Sequence, residues 1–360
     1  MKSTRRHFLN AALAGTAGAV VFPSILPARV LGADAPSKKI NILQIGCGRI
    51  ARSMDMPGIL RQDAARMIAV CDLDSIRAKD AKRYVEEYYA RKNLSLEVKA
   101  YGDYREALQN ADTDAVAVST PDHWHSEPVI AAALAGKDVY VQKPLSMTIA
   151  EGRAVSDIVR AKNRMFQIGS QQRSGAQFRI ACELVRSGRI GKLHTVQIGL
   201  PTDPSGGSTT EMPVPANLNY DMWLGCTPVV PYTEDRVHSQ NPNSARRYED
   251  RPGWLRIESY CLGMITGWGS HHVDIGHWGM DTELTGPISI EGKTEFPKSG
   301  LWNVHGSYHI EAKYANGVTM IIDNTFKNGI RFEGSDGWIF VTRGAERVTE
   351  SNPMPPGRAG

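Results

Sequence analysis

Gly46-Cys47-Gly48-Arg49-Ile50-Ala51 follows directly on an apolar run, residues 41–45. Two glycines at that spacing permit a tight turn and let a diphosphate approach the backbone, while the small Ala51 lets a helix pack on the strand before it. Amides at the start of such a helix meet phosphate oxygens. A second apolar run, residues 67–71, ends at Asp72. A carboxylate there accepts hydrogen bonds from ribose hydroxyls and repels a 2′-phosphate, which favours NAD over NADP. The plainer alternative is an aspartate that caps the next helix. Groups able to move protons come later: Lys143 closes another apolar run, and the stretch 265–277 holds His271, His272 and His277. Imidazole suits proton transfer because its ordinary pKa is about 6.5. His271, Asp274 and His277, or His123 and His125, also admit a metal-ligand reading. No Cys-x-x-Cys spacing supports it, and no metal is expected.

These groups need a scaffold, and the first half of the chain supplies one by alternation. Ala78, Ala81, Val85 and Tyr88 recur at helical spacing, 115–119 is a buried-type strand, 127–135 a short helix and 139–142 a strand. Residues 149–162 form a helix with Val155, Ile158 and Val159 on one face, and 166–169 follow as strand. Strands alternating with helices predict an α/β fold, a doubly wound parallel sheet that binds ligands at the carboxyl ends of its strands. Gly46, Asp72, Thr120, Pro121 and Lys143 all fall at such ends. In the second half, 193–200 reads as strand and 201–217 as a long loop. Residues 301–314 and 317–324 read as a hairpin around Asn316-Gly317, and 338–341 as strand. Tyr220, Trp223, Trp254, Trp268 and Trp278 offer faces on which a sugar can stack, although most should be core.

Ser119-Thr120-Pro121-Asp122-His123-Trp124-His125, then Gln142-Lys143-Pro144, then Ser187-Gly188-Arg189-Ile190-Gly191 resemble the Gfo/Idh/MocA family of oxidoreductases. The resemblance implies a Rossmann domain followed by an α/β domain whose large, mostly antiparallel sheet covers the nicotinamide. It implies that Lys143 lies near the reacting hydroxyl and stabilises a developing alkoxide. It also implies that His271 is the general base, and that Gly46, Gly48, Arg49, Ile50, Asp72, Thr120, Pro121, His125, Gln142 and Lys143 border the cofactor. Arg173, His272, Asp274 and Trp268 are candidate substrate contacts. Three positions depart from the family pattern: Gln142 replaces Glu, Asp122 replaces Asn, and Gly267 stands where an Asp usually precedes the histidine by four residues.

The 360 residues carry a net charge of +4, which comes entirely from Lys2, Arg5, Arg6 and Arg29; the remainder is neutral. A neutral body argues against nucleic acid as a partner. Thr4-Arg5-Arg6-His7-Phe8-Leu9, before a weakly apolar segment, resembles a twin-arginine signal. The expected organisation is therefore a signal at 1–33, an NAD-binding domain at 34–165, a substrate domain at 166–350 and a flexible tail at 351–360. The expected partners are a carbohydrate and the twin-arginine export machinery, and the expected destination is the periplasm. No membrane span is expected in the mature chain, and a homo-oligomer is left open. Five cysteines, an odd number, predict no essential disulfide. The family's usual helical continuation after residue 350 is missing, so the sequence reads as truncated or as a member without that part. An exported enzyme meets no free NAD pool, so its cofactor should stay bound. The leading expectation is oxidation of a sugar or glycoside hydroxyl. The alternatives are a redox-neutral glycosidase acting through transient C3 oxidation and elimination, and a non-catalytic NAD carrier.

Overall fold

The strand–turn–helix alternation appears as expected in a computed structural model that describes residues 39–240, 251–345 and 347–352. The twin-arginine segment and residues 353–360 of the tail lie outside the described residues. In chain order the first half runs β1 (Ile40–Ile45), a π-helical turn (Ala51–Asp55) leading into α1 (Met56–Leu60), β2 (Ala65–Cys71), α2 (Ser75–Arg91), β3 (Lys99–Tyr101), α3 (Tyr104–Ala107) and β4 (Ala115–Val118). It continues with α4 (Ser126–Leu134), β5 (Asp138–Val141), α5 (Ile149–Ala161) and β6 (Phe166–Ile168). The six strands lie in the order β3-β2-β1-β4-β5-β6, every pair parallel. β6 is hydrogen-bonded to β5, so this sheet ends three residues into the stretch assigned to the second half.

Local chemistry explains the helix starts. Asp74 caps α2 through Oδ1, which accepts from the amides of Ile76 and Arg77, and Thr148 with Glu151 forms a capping box on α5. The face of α2 turned to the sheet is Ala78, Ala81, Val85 and Tyr89; Tyr88, expected there, is half-buried one position off the stripe. Apolar residues cover both sides of the sheet. Val129, Ala132, Val155 and Val159 pack with Leu43, Val116 and Val139 in one core, while Ala81, Val85 and Tyr89 pack with Met67 and Val70 in the other. That is why these strands read as continuous hydrophobic runs.

The second half runs α6 (Ala176–Arg186), β7 (Leu193–Gly199), α7 (Tyr220–Leu224), α8 (Gly263–Gly267), α9 (Gly269–Met280), β8 (Ser289–Thr294), β9 (Tyr308–Lys313), β10 (Thr319–Asp323), β11 (Gly329–Gly334), β12 (Gly337–Val341) and β13 (Thr349–Glu350). Its sheet has the order β13-β12-β11-β7-β10-β9-β8, antiparallel except between β7 and β10. α6 and α9 pack on one face, with Phe178, Cys182, Ile275 and Met280 against Val196, Ile198, Met320 and Phe332. α9 comes very close to the strands: a methyl on Gly279 would stand 2.4 Å from the Phe332 ring. The expected hairpin forms, but its first strand begins at Tyr308 and not at 301. The intervening backbone is used elsewhere: the Trp302 amide donates to Gly206 and the amides of Asn303 and Val304 to Arg256. Both sheets belong to one unit, residues 40–360. All five thiols are free, with Cys226 alone exposed. No helix among the described residues is long and apolar enough to cross a membrane.

Candidate active site

A cleft of about 380 Å3 opens at the carboxyl ends of β1, β2, β4 and β5. The glycine turn forms its floor. Gly46 has φ +81°, and its amide donates to the Cys71 carbonyl at 2.8 Å. A Cβ there would stand 2.6 Å from the Ser119 carbonyl oxygen, so β1 and β4 close on this residue only because it is glycine. Asp72 is held at both oxygens, Oδ2 accepting from the Cys47 amide at 2.7 Å and Oδ1 from the Asp74 amide at 2.9 Å. Each carboxylate oxygen keeps a lone pair toward the cleft. Gly48, Arg49, Ile50, Thr120, Pro121, His125, Gln142 and Lys143 complete this side. Both ring nitrogens of His125 face backbone carbonyls, Nδ1 that of Pro144 at 2.5 Å and Nε2 that of Thr120 at 3.0 Å, and whichever carries the proton ties the ring to the corner that carries Lys143.

The opposite wall comes from the second half: Arg251, Trp254, Arg256 and Trp302. A strap from the same half, between residues 217 and 238, is tied to the start of α2. The Ser75 amide donates to Asn217, the Asn219 amide to Leu73, and His238 Nε2 meets Asp74 Oδ2 at 2.9 Å. Burial raises the Asp74 pKa, but hydrogen bonds from His238 and Asn217 outweigh it and hold the carboxyl well below its usual range. Burial, with Arg77, pushes the His238 pKa down, while its hydrogen bond to Asp74 opposes that shift.

Lys143 and His271 converge from the two halves. Lys143 Nζ donates to the Gly267 carbonyl at 2.9 Å, one helical turn before His271. Burial lowers the Lys143 pKa; Asp122 and Cys261 oppose that shift, and Arg343 and Arg251 add to it. His271 is buried, stands off the cleft wall and has no hydrogen-bond partner at Nδ1. Its pKa is lowered to about 3 by burial, then by Lys143, Arg343 and His272. Of the candidate substrate contacts, none lines this cleft. His272 is fully buried between Gln172 (3.1 Å) and Asn328 (2.8 Å), and Trp268 packs under the Arg343 guanidinium at 4.6 Å. Arg173 and Asp274 pair with each other in a separate, open depression of about 480 Å3. Among the described residues no group of three or more His, Cys, Asp or Glu side chains is arranged to hold a metal ion.

Two models of one oxidoreductase family match the chain: an NAD-binding Rossmann fold at residues 40–170 and a C-terminal α/β domain at 205–346. The chain belongs to the Gfo/Idh/MocA family. It is 32% identical over 177 residues to myo-inositol 2-dehydrogenase of Thermotoga maritima, covering 49% of this chain and 46% of that protein. It is 28% identical over 205 residues to an α-N-acetylgalactosaminidase of Shewanella oneidensis, covering 52% and 44%. The chain thus matches about half the length of these curated relatives. The WlbA dehydrogenase of Bordetella pertussis, solved with NADH and UDP-GlcNAcA, shares the fold at a TM-score of 0.64 and 17% identity, over 88% of this chain and 83% of that one.

Against that family pattern, Gln142 has a local cause that motifs do not reveal. Its amide donates to Asp55 Oδ1 at 2.8 Å, while Ser119 Oγ donates to Asp55 Oδ2 at 2.7 Å. Asp55 is buried, and burial raises its pKa. A glutamate at 142 would set a second carboxylate against the first, whereas an amide donates to it. Asp55 comes from the π-helical turn after the glycine motif, and nothing in its sequence neighbourhood signals the role. Arg251, Arg256 and the Asp74–His238 pair are likewise absent from the motifs, because their partners are remote in the chain.

Proposed function

We propose that this chain is an NAD-dependent oxidoreductase acting on a hydroxyl of a sugar or glycoside. Family membership and the inositol dehydrogenase relative support the class. The observation that carries the reading is Lys143: an amine on the cleft wall at the end of β5, tied across the two halves to Gly267. The cleft suits the cofactor, since Gly46 and Gly48 of the turn border it and so does Asp72, whose oxygens each keep an acceptor site for ribose hydroxyls, which favours NAD over NADP. Bound there, NAD supplies the hydride acceptor. The chain's own residues handle the proton. Desolvation brings the neutral Lys143 amine nearer to working pH, and Nζ takes the proton of the reacting hydroxyl. The resulting ammonium stabilises charge on the substrate oxygen. The proton-taking role expected of His271 passes to Lys143 in this reading, because His271 stands off the cleft wall and burial first of all disfavours its imidazolium.

The strap locked by Asp74 and His238 supports a cofactor that does not exchange freely. Arg5-Arg6 supports export to the periplasm, loaded and folded, through the twin-arginine machinery. Arg5→Lys with Arg6→Lys should leave the protein in the cytoplasmic fraction; unchanged export removes that assignment. For the activity, the purified protein is denatured to release nucleotide, and the native protein is supplied with myo-inositol, free sugars and aryl glycosides. Oxidised product with matching NADH is the expected result. The α-N-acetylgalactosaminidase relative favours a second reading, a redox-neutral glycosidase. Aglycone release without NADH selects it. Bound nucleotide without either reaction leaves a cofactor-carrying binding protein.

A further inference from the structure

Three arginines border the cleft, Arg49 on the side of the glycine turn and Arg251 and Arg256 on the wall opposite. The Nε atom of each is buried and has no hydrogen-bond partner. Among the described residues the side chains of Arg49 and Arg256 form no hydrogen bond or ion pair at all. The Arg256 guanidinium lies over the Trp302 ring at 4.4 Å, which fixes its planar head without neutralising it. Arg251 has one acidic partner, the buried Asp203, at 3.0 Å. The acids on the same wall are turned to other tasks: Asp235 Oδ2 accepts from the Ser208 amide at 2.8 Å, and Glu234 is exposed. Burial first, then Arg251, lowers the pKa of both Arg49 and Arg256, as expected of cations crowded together out of water.

Arg251 also stands at the reacting end of the cleft. Its Nη1 meets Met264 Sδ at 3.4 Å, while Lys143 Nζ donates to the Gly267 carbonyl at 2.9 Å. Met264 and Gly267 are three residues apart in α8, less than one helical turn, so the two cations are anchored side by side. We propose that Arg251 and Arg256 form a subsite for an anionic substituent, a carboxylate or sulfate, on the sugar whose hydroxyl meets Lys143. This rests on the reading of Lys143 as the group that meets the hydroxyl. Buried cations without acids are costly, and they persist where an anion arrives to pair with them. Arg49, next in the chain to Gly48, is placed for the cofactor diphosphate. Arg251 and Arg256 come from the other wall and are left for the second ligand. A guanidinium offers two N–H groups in one plane, the geometry that a carboxylate or sulfate accepts.

The test is equilibrium binding, measured by calorimetry, to the protein loaded with NAD. Glucuronate, galacturonate, glucose 6-sulfate and galactose 6-sulfate are each compared with the neutral hexose. At least one anionic sugar should bind about ten- to hundredfold more tightly than its neutral parent, the range of a hydrogen bond to a charged group. Whether carboxylates or sulfates lead identifies the substituent. Arg256→Gln should remove that advantage while melting temperature and bound nucleotide stay at the parent level, and Arg251→Gln should do so independently. The proposal is overturned if no anionic sugar binds more tightly than its neutral parent. It is also overturned if these variants keep the preference and lose nucleotide instead, which would give both cations to the cofactor diphosphate. Binding needs no turnover. Anion-selective binding without NADH formation leaves the subsite standing and removes the oxidation reading; NADH formation from neutral sugars, without any preference for anions, does the reverse.

Discussion

The main cleft and the depression around Arg173 both gather charged side chains, yet they treat them oppositely. In the cleft, polar atoms are left without partners: Asp122 Oδ2 and Nε of Arg49, Arg251 and Arg256. His271 Nδ1, just behind the wall, is in the same state. In the depression everything is paired. Arg173 holds Asp274 through two bonds, at 2.7 and 2.8 Å, and Glu283 at 2.7 Å; Arg186, outside the lining, reaches Glu283 at 3.7 Å; and His277 bonds to Tyr314. A buried polar atom without a partner costs free energy, about 1–3 kcal/mol each, and persists where a ligand is to meet it. A closed ion-pair network has no such requirement. The cleft is thus built for an occupant, and the depression for the structure.

The sharpest way to break this contrast is at Lys143. Lys143→Ala should lower turnover by about 10²–10⁴-fold, the range of a lost proton-transfer group, while nucleotide released on denaturation stays at the parent level. Full activity would remove the cleft assignment. Next in size is Gln142→Glu, which tests the inner rim. It replaces a donor to Asp55 by a second carboxylate, at a cost of roughly 1–3 kcal/mol. One carboxyl of such a pair titrates abnormally high. The cost is therefore present above that raised pKa and is relieved as pH falls through it. Melting temperature should drop more at pH 8 than at pH 5; an equal drop at both would mean that the two groups do not feel each other.

How far the sequence revealed this arrangement depends on how local each feature is. β1, β2, β4 and β5 were readable because a parallel strand covered on both faces is a short apolar run, and the glycine turn and Lys143 follow such runs directly. β8, SIEGKT, is exposed along its whole length and does not alternate, so it was not expected; β11, GIRFEG, alternates over only Ile330-Arg331-Phe332-Glu333 between two glycines, a signal too short to stand out. The family resemblance identified the lysine and the histidine but not what surrounds them. Asp55 against Gln142, Asp122 against Cys261, and Asp74 against His238 are pairings between segments far apart in the chain. No periodicity encodes them. Of the seven-stranded sheet, the strands at 193–200 and 338–341 and the Asn-Gly hairpin were legible, and only the resemblance joined them into one sheet.

A smaller effect, spread over the molecule, concerns acid. His123, His271 and His272 are buried with pKa values lowered to about 4, 3 and 4, burial being the first cause in each. Unfolded histidine titrates at about 6.5. As pH falls below that value, the unfolded chain binds protons that the folded rings refuse, so stability falls, by on the order of 1 kcal/mol per pH unit for each ring. Asp55 and Asp122, whose pKa values are raised, act in the opposite sense once pH enters the carboxylate range, because the folded state takes their protons first. The net expectation is a melting temperature that falls steadily from pH 6.5 to pH 5. A flat profile across that window would show that the rings are hydrated or already charged.

The smallest effect is expected in the depression, and its smallness is what the contrast requires. Arg173 and Asp274 each keep roughly a third of their side-chain surface exposed, at 34% and 28%. Ion pairs so placed typically contribute only about 0.2–1 kcal/mol, since solvent and salt screen them. Arg173→Ala should therefore cost at most about 1 kcal/mol in stability, and less in high salt. It should leave the KM for the sugar and the turnover within twofold. The two residues were natural candidates for substrate binding from sequence, where a basic and an acidic residue near a presumed active helix look available. Their mutual pairing removes that availability: a substrate would first have to break two charge-assisted bonds from Arg173 to Asp274 and a third to Glu283. A tenfold rise in KM with unchanged stability would reverse the argument, and would make the open depression, not the cleft wall, the place where the sugar is held.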